Sequence, residues 1–328
     1  MNPIRLLMDR LRPLIRLRRK VFGPHRPTWS EEFETIATVL RTSADFSVLL
    51  PLRFQRYALD PPRPDTAVVK ETTISDADAG GVPGKWFTRP DSRHDHVVIY
   101  LHGGGYSTGS VRSHRDLIAR ICKSTRSRVL ALDYRLAPEH PFPAQLEDSM
   151  AAYRWLLAQG ISPSKIAFAG ESAGGGLCVS TMLKLRETGE PMPCTAVLIS
   201  PWLDLEAQSP SFHENRRWDF VTRKAMAAYA RRFVREHEVR HPLAAPIHAD
   251  VHDLPPILIQ VGEVETLRDE GIALAERIRE QGGDVTLEVW DDMIHAFHVF
   301  APLLPVAQDA IDRLSAHIVR CYEDEAAA

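Results

Sequence analysis

Ser172 lies at the centre of the pentapeptide Gly-Glu-Ser-Ala-Gly, residues 170–174, between a short apolar run and a helix-like stretch. A serine between a strand end and a helix start is forced onto a sharp turn that presents its hydroxyl to solvent as a nucleophile. The flanking glycines are needed because a Cβ at either position would collide with the crossing backbone. The same turn puts the backbone N–H of Ala173 at a helix N-terminus, where negative charge is favoured. The pentapeptide therefore predicts a nucleophile together with part of an oxyanion hole.

A second motif, His-Gly-Gly-Gly-Tyr at residues 102–106, follows an apolar run that ends at Leu101. Acyl transfer through a tetrahedral intermediate needs at least two N–H donors aimed at the developing negative charge. Successive glycines let a loop point its amides inward and let a substrate approach the backbone closely. A flexible loop or a phosphate cradle would have the same composition. The Lys-Ser/Thr pair of a P-loop does not follow, so the phosphate interpretation is disfavoured.

A general base and an orienting acid are expected later in the chain, in the order serine, acid, histidine. His295 follows the last predicted strand and is the preferred base, with His298 and His102 as rivals. The acid is expected in the carboxylate-rich loop of residues 262–270. Glu265 is preferred there, and the two alternatives that stay open are Asp269 and Glu263.

These residues need a scaffold, and from about Ala67 onward the apolar runs alternate with helical patterns. Such alternation predicts an α/β protein whose mainly parallel sheet is covered by helices on both faces. A run at 285–290 alternates in polarity and is expected towards the sheet edge. The other predicted strands are 97–101, 128–132, 165–169, 196–199 and 257–261.

Two segments lack strand character and predict a helical cap above the site. Residues 1–65 contain a helix over 30–42 with Ser30 as its N-cap, and they end in a stiff Pro-Pro-Arg-Pro linker at 61–64. The second segment is an insertion within about 205–240. We therefore predict a helical N-terminal segment over 1–65 and a catalytic domain over 66–328.

Composition excludes several function classes. A net charge of −3 gives no reason to expect nucleic acid as a partner. The four cysteines lie far apart, fit no metal or disulfide spacing and favour a reducing, cytoplasmic location. Residues 1–20 contain seven basic residues and one acid, and their apolar residues recur at helical spacing, although Pro3 and Pro13 weaken a long helix. A lid or partner-contacting helix is favoured there over contact with a membrane surface. A homodimer is compatible with the sequence.

Five motifs together resemble the hormone-sensitive-lipase-like esterases, bacterial lipolytic family IV, over about residues 65–320. The resemblance implies the α/β-hydrolase fold, with Ser172 as nucleophile and His295 as base. It also implies that the amides of Gly104, Gly105 and Ala173 form the oxyanion hole, with Gly103 shaping the loop. The motifs are His102–Gly105, Asp133–Ala144, Gly170–Gly175, Ser200–Leu205 and the segment around His295.

Two departures from the family pattern concern glutamates. The family usually has Asp or Thr in place of Glu171, whose side chain we expect to point away from the acyl site. The Leu-Arg-Asp-Glu run at 267–270 aligns Glu265 with the family's acidic residue, which is commonly Asp. Because glutamate is one methylene longer, the loop must lie slightly farther from His295 to keep the bond to its ring. The stretch 133–144 offers no obvious nucleophile or base and is interpreted as bracing for the oxyanion loop.

The sequence therefore predicts a carboxylesterase for short- to medium-chain acyl esters that needs no metal or cofactor. Tyr106, Trp202 and the cap are expected to line the substrate pocket. The alternatives are a related amidase, thioesterase or acyltransferase, since fold and triad do not separate these activities. A ligand-binding protein of the gibberellin-receptor type is disfavoured, because those receptors lack the catalytic histidine and His295 is present here.

Overall fold

Eight strands form one sheet in the computed structural model of this protein, which describes residues 3–60 and 64–327. Their order is β1-β2-β4-β3-β5-β6-β7-β8, in which the β1–β2 and β2–β4 pairs are antiparallel and the other five pairs are parallel. The mainly parallel sheet predicted from the sequence is confirmed, and β8 forms an edge as expected. The strands are β1 Thr73–Asp78, β2 Pro83–Thr88, β3 Arg93–Leu101, β4 Ser127–Leu132, β5 Ile166–Glu171, β6 Thr195–Ile199, β7 Ile257–Gly262 and β8 Val285–Trp290.

The central strands are buried on both faces, as their continuous apolar sequences require. The sequence prediction missed β1 and β2. Strand β1 is almost wholly exposed and carries three polar residues among Thr73–Ala77, so it has no apolar run to reveal it. It is fixed as a strand by backbone pairing with β2 at the sheet edge.

Helices cover both faces of the sheet. One layer contains α5 and α11 and shares a core with Phe87, Tyr100 and Val197, whereas α6, α7 and α10 pack on the opposite face. The helices are α1 Pro3–Phe22, α2 Glu31–Ser47, α3 Leu52–Leu59, α4 Ala67–Lys70, α5 Val111–Thr125, α6 Ala144–Ala158, α7 Ala173–Thr188, α8 Ser211–Glu214, α9 Arg223–Phe233, α10 Arg268–Glu280 and α11 Pro305–Ala327. Among the described residues, no helix is long and apolar enough to cross a bilayer.

The N-terminal segment is helical, as predicted, but α1 is longer than its prolines suggested. It runs without a break through Pro13, so the expectation that proline would weaken a long helix there was wrong. Contact with α2 offsets the lost backbone bond, because Arg16 pairs with Glu31, and Ile15 is buried. Ser30 caps α2 by accepting a hydrogen bond from the Phe33 N–H, as predicted.

The N-terminal segment and the insertion meet each other. The hydroxyl of Thr222, at the start of α9, donates to the Asp45 carboxylate of α2 at 2.6 Å. Arg232 donates to the Gln55 side chain of α3 at 3.1 Å. The insertion contains α8 and α9 and no strand among its residues, all of which are described. The proposed linker at 61–64 falls mainly on residues 61–63, outside the described residues, and the domain boundary near 65 stays a prediction.

Candidate active site

Ser172 occupies a strained turn between β5 and α7. Its backbone has φ 55° and ψ −119°, a combination that L-residues rarely adopt and that clusters at functional sites. The surroundings fix this conformation: the Ser172 N–H donates to the Ile199 carbonyl at 2.9 Å, and its carbonyl accepts from the Trp202 N–H at 3.0 Å. The side chain keeps a small exposure of 6%. The sharp turn inferred from the pentapeptide is therefore present.

The two flanking glycines are required by backbone contact, as expected. A Cβ on Gly170 would lie 2.3 Å from the Gly174 carbonyl oxygen, and a Cβ on Gly174 would lie 1.9 Å from the Leu101 carbonyl oxygen. The second contact matters most for the site. It shows that the first turn of α7 rests directly on the end of β3, where the glycine loop begins.

The glycine loop after β3 is held in place from several sides. The Gly104 carbonyl accepts from the Thr108 N–H at 2.9 Å, and the Tyr134 hydroxyl donates to the His102 carbonyl at 2.6 Å. Gly104 has φ +114°, a conformation that favours glycine. The Tyr134 bond comes from the 133–144 stretch and supports its interpretation as bracing for this loop.

Three backbone amides at this corner are uncommitted. Among the hydrogen bonds of residues 64–327, none is donated by the backbone N–H of Gly104, Gly105 or Ala173. Buried amides without a partner are rare in proteins, and they are expected where a substrate or water completes them. The Ala173 amide has the added field of the α7 N-terminus. The corner thus has the composition of an oxyanion hole.

Substitution of Gly104 by alanine should lower kcat/KM by about 10²-fold or more, the scale of losing one oxyanion donor. The added Cβ would lie 2.3 Å from the Thr108 carbonyl oxygen, so the loop must move. Gly282→Ala is the matched control, because Gly282 also has a positive φ (+79°) but nothing within 4 Å of a Cβ. Ester hydrolysis and thermal unfolding of both variants check this; equal losses in the two variants would contradict it.

His295 lies on the loop after β8, and its ring is directed at the Ser172 turn. Its Nε2 is 3.6 Å from Oε1 of Glu171, the residue that immediately precedes Ser172. The side chain is 4% exposed. The loop is anchored from the N-terminal segment: Trp29 Nε1 donates to the Asp292 carbonyl at 2.7 Å, and Arg26 pairs with the Asp292 carboxylate. The structure therefore places the ring of His295 beside the residue that precedes Ser172.

Glu265 is fully buried beside the same loop. Its Oε2 accepts from the Ser200 hydroxyl at 2.6 Å and from the Gly262 N–H at 3.0 Å. The Ser200 oxygen also accepts from the Ala296 N–H at 3.0 Å, so one serine joins the acid to the residue after His295. Glu265 Oε1 and His295 Nδ1 are both buried and neither has a hydrogen-bond partner in this structure. Burial, only partly offset by the Ser200 bond, raises the pKa of Glu265 to about 8.

The alternative acids are engaged elsewhere. Glu263 pairs with Arg26 and its side chain is 42% exposed. Asp269 accepts from the Ser211 N–H at 2.8 Å and pairs with Arg268. Neither carboxylate therefore competes with Glu265 for the ring of His295.

Sequence reasoning missed Asp219, a buried carboxylate beside the histidine loop. Its Oδ1 accepts from the His295 N–H at 3.3 Å and from the Phe220 N–H at 2.8 Å. Its Oδ2 accepts from the N–H and the hydroxyl of Thr266. Both oxygens thus hold backbone groups, so Asp219 braces the insertion against the two loops that carry Glu265 and His295. Asp219 belongs to no recognisable motif in the insertion, so the sequence did not indicate that it reaches the site.

The two rival bases have structural contacts instead. His298 Nε2 lies 2.8 Å from Gln260 Oε1, and burial lowers its pKa to about 3. His102 Nδ1 lies 2.7 Å from the Gly103 carbonyl, and burial together with nearby His114 lowers its pKa to about 3. Both rings therefore stay neutral at ordinary pH and brace the loops that carry them.

The expectation that Glu171 points away from the site was wrong. Its carboxylate lies between two imidazoles, with Oε2 at 3.0 Å from His114 Nε2 and Oε1 at 3.6 Å from His295 Nε2. It also packs against the oxyanion loop, since a Cβ on Gly103 would be 2.0 Å from Oε2. The Glu171 side chain is one methylene longer than the aspartate usual in the family, so its carboxylate extends beyond the Ser172 turn. Sequence offered no sign of His114, which comes from α5.

Tyr106 and Trp202, the predicted pocket residues, are each 1% exposed. The Tyr106 ring stacks on Phe233 with centroids 3.8 Å apart, and Trp202 Nε1 donates to the Asp204 carbonyl. In this structure they pack beneath the glycine loop, and substrate contact by either stays a prediction.

Asp204, Glu206 and His248 have ligand atoms within 4.8 Å of one another, as a metal site would require. Their carboxylates already have other partners. Both Asp204 oxygens accept backbone N–H groups at 2.9 Å, and Glu206 pairs with Arg240. The carboxylates that a metal ion would need are therefore already engaged.

Comparison with known proteins agrees with this fold. A sequence profile of the alpha/beta hydrolase fold matches residues 98–299. An acetyl-hydrolase of Streptomyces hygroscopicus is 42% identical over 234 residues, 71% of this chain and 78% of that protein. Carboxylesterase NlhH of Mycobacterium tuberculosis is 32% identical over 282 residues, 83% of this chain and 88% of that protein. The crystal structure of an esterase from the bacterial hormone-sensitive lipase family is 40% identical with a TM-score of 0.77, covering 96% of this chain and 98% of that one.

The parallel sheet with a serine turn at the end of a central strand defines an α/β-hydrolase. Within that fold, the chain belongs to the hormone-sensitive-lipase-like carboxylesterases. The protein is accordingly a serine carboxylic ester hydrolase.

Proposed function

We propose that the protein hydrolyses short- to medium-chain acyl esters in two steps through an acyl-enzyme on Ser172. His295 Nε2 takes the Ser172 proton as the hydroxyl oxygen attacks the ester carbonyl carbon. The tetrahedral intermediate collapses, the C–O bond to the alcohol breaks, and the alcohol leaves with the proton held by His295. Water then repeats the sequence on the acyl-enzyme and releases the acid.

The observation that carries this proposal is the corner formed by the Ser172 turn and the glycine loop. A strained serine lies at the end of β5, and three backbone amides beside it have no partner among the described residues. Preorganised amides of this kind stabilise an oxyanion without reorganisation during the reaction. Gly104, Gly105 and Ala173 are the proposed donors, and Gly103 lets the Glu171 carboxylate approach the loop.

Glu265 is proposed as the acid that orients His295. Its free Oε1 and the unpaired Nδ1 of His295 are complementary groups in one buried neighbourhood. The two loops are tied together, because the Val264 N–H donates to the Met293 carbonyl at 3.0 Å. A hydrogen bond from Nδ1–H to Oε1 would fix the tautomer that leaves Nε2 free to accept the serine proton.

The cap supports a preference for small acyl groups. The ring of Tyr229, on α9, lies so close to the oxyanion loop that a Cβ on Gly105 would be 2.5 Å from it. Ser172 itself is only 6% exposed. A long, rigid acyl chain would have to displace the cap, whereas an acetyl or butyryl group has less to displace. The buried free thiols of Cys122 and Cys178 accord with the predicted cytoplasmic location.

The test is hydrolysis of p-nitrophenyl esters from two to twelve acyl carbons, together with covalent labelling by a serine-directed phosphonate. We expect the highest kcat/KM at the short end of the series and a single labelled peptide that contains Ser172. Matched p-nitroanilide and thioester substrates separate an amidase or thioesterase from an esterase. Failure to hydrolyse any ester in a Ser172-dependent manner would overturn the proposal.

A further inference from the structure

The carboxylate of Glu171 connects two histidines from different parts of the fold. Oε2 lies 3.0 Å from His114 Nε2, within hydrogen-bond distance, and Oε1 lies 3.6 Å from His295 Nε2. The second distance is too long for a hydrogen bond but short enough for an ion pair. The Glu171 side chain is 6% exposed, so water screens the contact only weakly.

The contacts of His114 indicate that its ring carries a positive charge. Nδ1 lies 2.8 Å from the Ser113 hydroxyl, which itself donates to the Ser110 carbonyl, and 3.1 Å from that carbonyl, so Nδ1 donates on this side. Nε2 faces the Glu171 carboxylate and donates to it. Burial, the largest single effect, lowers the pKa of His114, but the hydrogen bond and charge of Glu171, with smaller effects of Ser110 and Asp60, together outweigh it and the pKa is raised. Burial likewise acts to raise the pKa of Glu171, but the hydrogen bond and charge of His114, with smaller effects of His295 and His102, together lower it.

Other titratable groups approach this pair from each neighbouring element. Tyr100 and His102 lie at the end of β3, Tyr134 lies after β4, and His298 lies beyond the histidine loop. These four groups are neutral at ordinary pH, since burial raises the pKa of both phenols and lowers that of both imidazoles. The carboxyl groups that face the pair or His295 are Asp60, Asp219 and Glu265.

We propose that Glu171, charged and fixed by His114, is a positioning residue that stabilises the His295 imidazolium formed in each step of the reaction. This rests on the role proposed above for His295. When Ser172 gives up its proton, the new positive charge on His295 appears 3.6 Å from a carboxylate that is already in place. No group has to move to meet it, which is the condition under which electrostatic stabilisation is most effective.

His114 serves two purposes in this arrangement. It holds the carboxylate at one orientation, and it supplies a positive charge that offsets the negative charge of Glu171 where that side chain touches the oxyanion loop at Gly103. An unpaired carboxylate there would disfavour the oxyanion. The pair therefore favours the imidazolium while sparing the oxyanion.

The test compares the pH dependence of kcat/KM for Glu171→Gln and His114→Gln with that of the unaltered enzyme. Glu171→Gln keeps the volume and removes the negative charge, so we expect kcat/KM to fall about 10- to 100-fold. The acidic limb of its pH profile, where kcat/KM rises with pH, should move to lower pH, because the carboxylate no longer stabilises the His295 imidazolium. His114→Gln removes the positive charge and leaves the carboxylate, so its acidic limb should move to higher pH.

Opposite shifts separate an electrostatic role from a structural one, since disrupted packing would not move the two limbs in opposite directions. Glu171→Asp should keep the acidic limb nearer to that of the unaltered enzyme than Glu171→Gln does. Glu147→Gln is the control, because Glu147 is a 60% exposed carboxylate paired with Arg135. Unchanged limbs, or shifts in the same direction, would overturn the proposal. If the unaltered enzyme showed no Ser172-dependent ester hydrolysis at all, the proposed function itself would be refuted instead.

Discussion

Ser172→Ala is expected to lower kcat for ester hydrolysis by about 10⁶-fold, leaving only turnover due to binding and the oxyanion hole. The reason is that the proposed triad acts as a unit: without the serine oxygen, His295 has no proton to accept and no acyl-enzyme forms. The turn itself tolerates alanine, since its backbone bonds to Ile199 and Trp202 do not involve the side chain. Thermal unfolding of the variant should therefore stay close to that of the unaltered protein.

Non-additivity provides a second measure of the same prediction. His295→Ala should lose activity on a similar scale, and the Ser172→Ala/His295→Ala double variant should be no slower than either single variant. Burst kinetics with p-nitrophenyl acetate should show an acyl-enzyme phase that disappears in both single variants. Ser164→Ala is a suitable control, because Ser164 lies before β5 in a short 3₁₀ turn. Multiplicative losses in the double variant would argue that the two residues act independently.

Glu265→Gln is expected to have two large effects of opposite sign. Activity should fall by about 10³- to 10⁴-fold, because an amide in place of the carboxylate favours the wrong tautomer of His295. The free energy of unfolding should rise at neutral and alkaline pH, because the substitution removes a buried carboxyl group that the fold resists ionising. The native glutamate at position 265 thus favours activity at a cost in stability.

The sign of the stability effect follows from the pKa of Glu265. In the unfolded chain the group ionises near 4.5, whereas burial raises its pKa in the folded protein to about 8. Between these values the folded state binds more protons than the unfolded state, so stability falls as pH rises. The contribution is fully present below pH 4.5 and is lost by about pH 8. Over pH 5 to 8 the loss should be on the order of 3 kcal/mol.

Urea unfolding of both proteins at pH 5 and pH 8 measures this effect. The stability difference between Glu265→Gln and the unaltered protein should grow with pH, and the variant should be the more stable one at pH 8. Glu263→Gln is the matched control, since Glu263 is on the same loop but is partly exposed and paired with Arg26. Full activity in Glu265→Gln with a loss in Glu263→Gln would assign the acid to Glu263 instead.

The sheet was predictable from sequence where burial leaves a continuous apolar run. Strands β3 to β7 have such runs and their order along the chain implied a parallel sheet, which fixed the strand-end position of Ser172. Strands β1 and β2 do not: β1 is an exposed edge strand, and β2 beside it is only partly buried, so polar residues are tolerated in both. Likewise, α1 continues through Pro13 because contacts with α2 override a local preference.

The candidate site was predictable where a motif forces a backbone shape. The glycines around Ser172 and in the loop at 103–105 are needed at close backbone approaches, so their spacing alone pointed to them. Asp219 and His114 are different. Each reaches the site through a side chain from a distant element, and no local pattern encodes such a contact. The reach of Glu171 was misjudged for the same reason, because its direction depends on where His114 lies.

The anchoring of the histidine loop by the N-terminal segment has a consequence for biosynthesis. Trp29 and its partner Asp292 are 263 positions apart in the chain. A growing polypeptide on the ribosome makes the anchor, and then the Ser172 turn, well before the loop that the anchor holds. The histidine loop can be secured only after both of these segments have been synthesised.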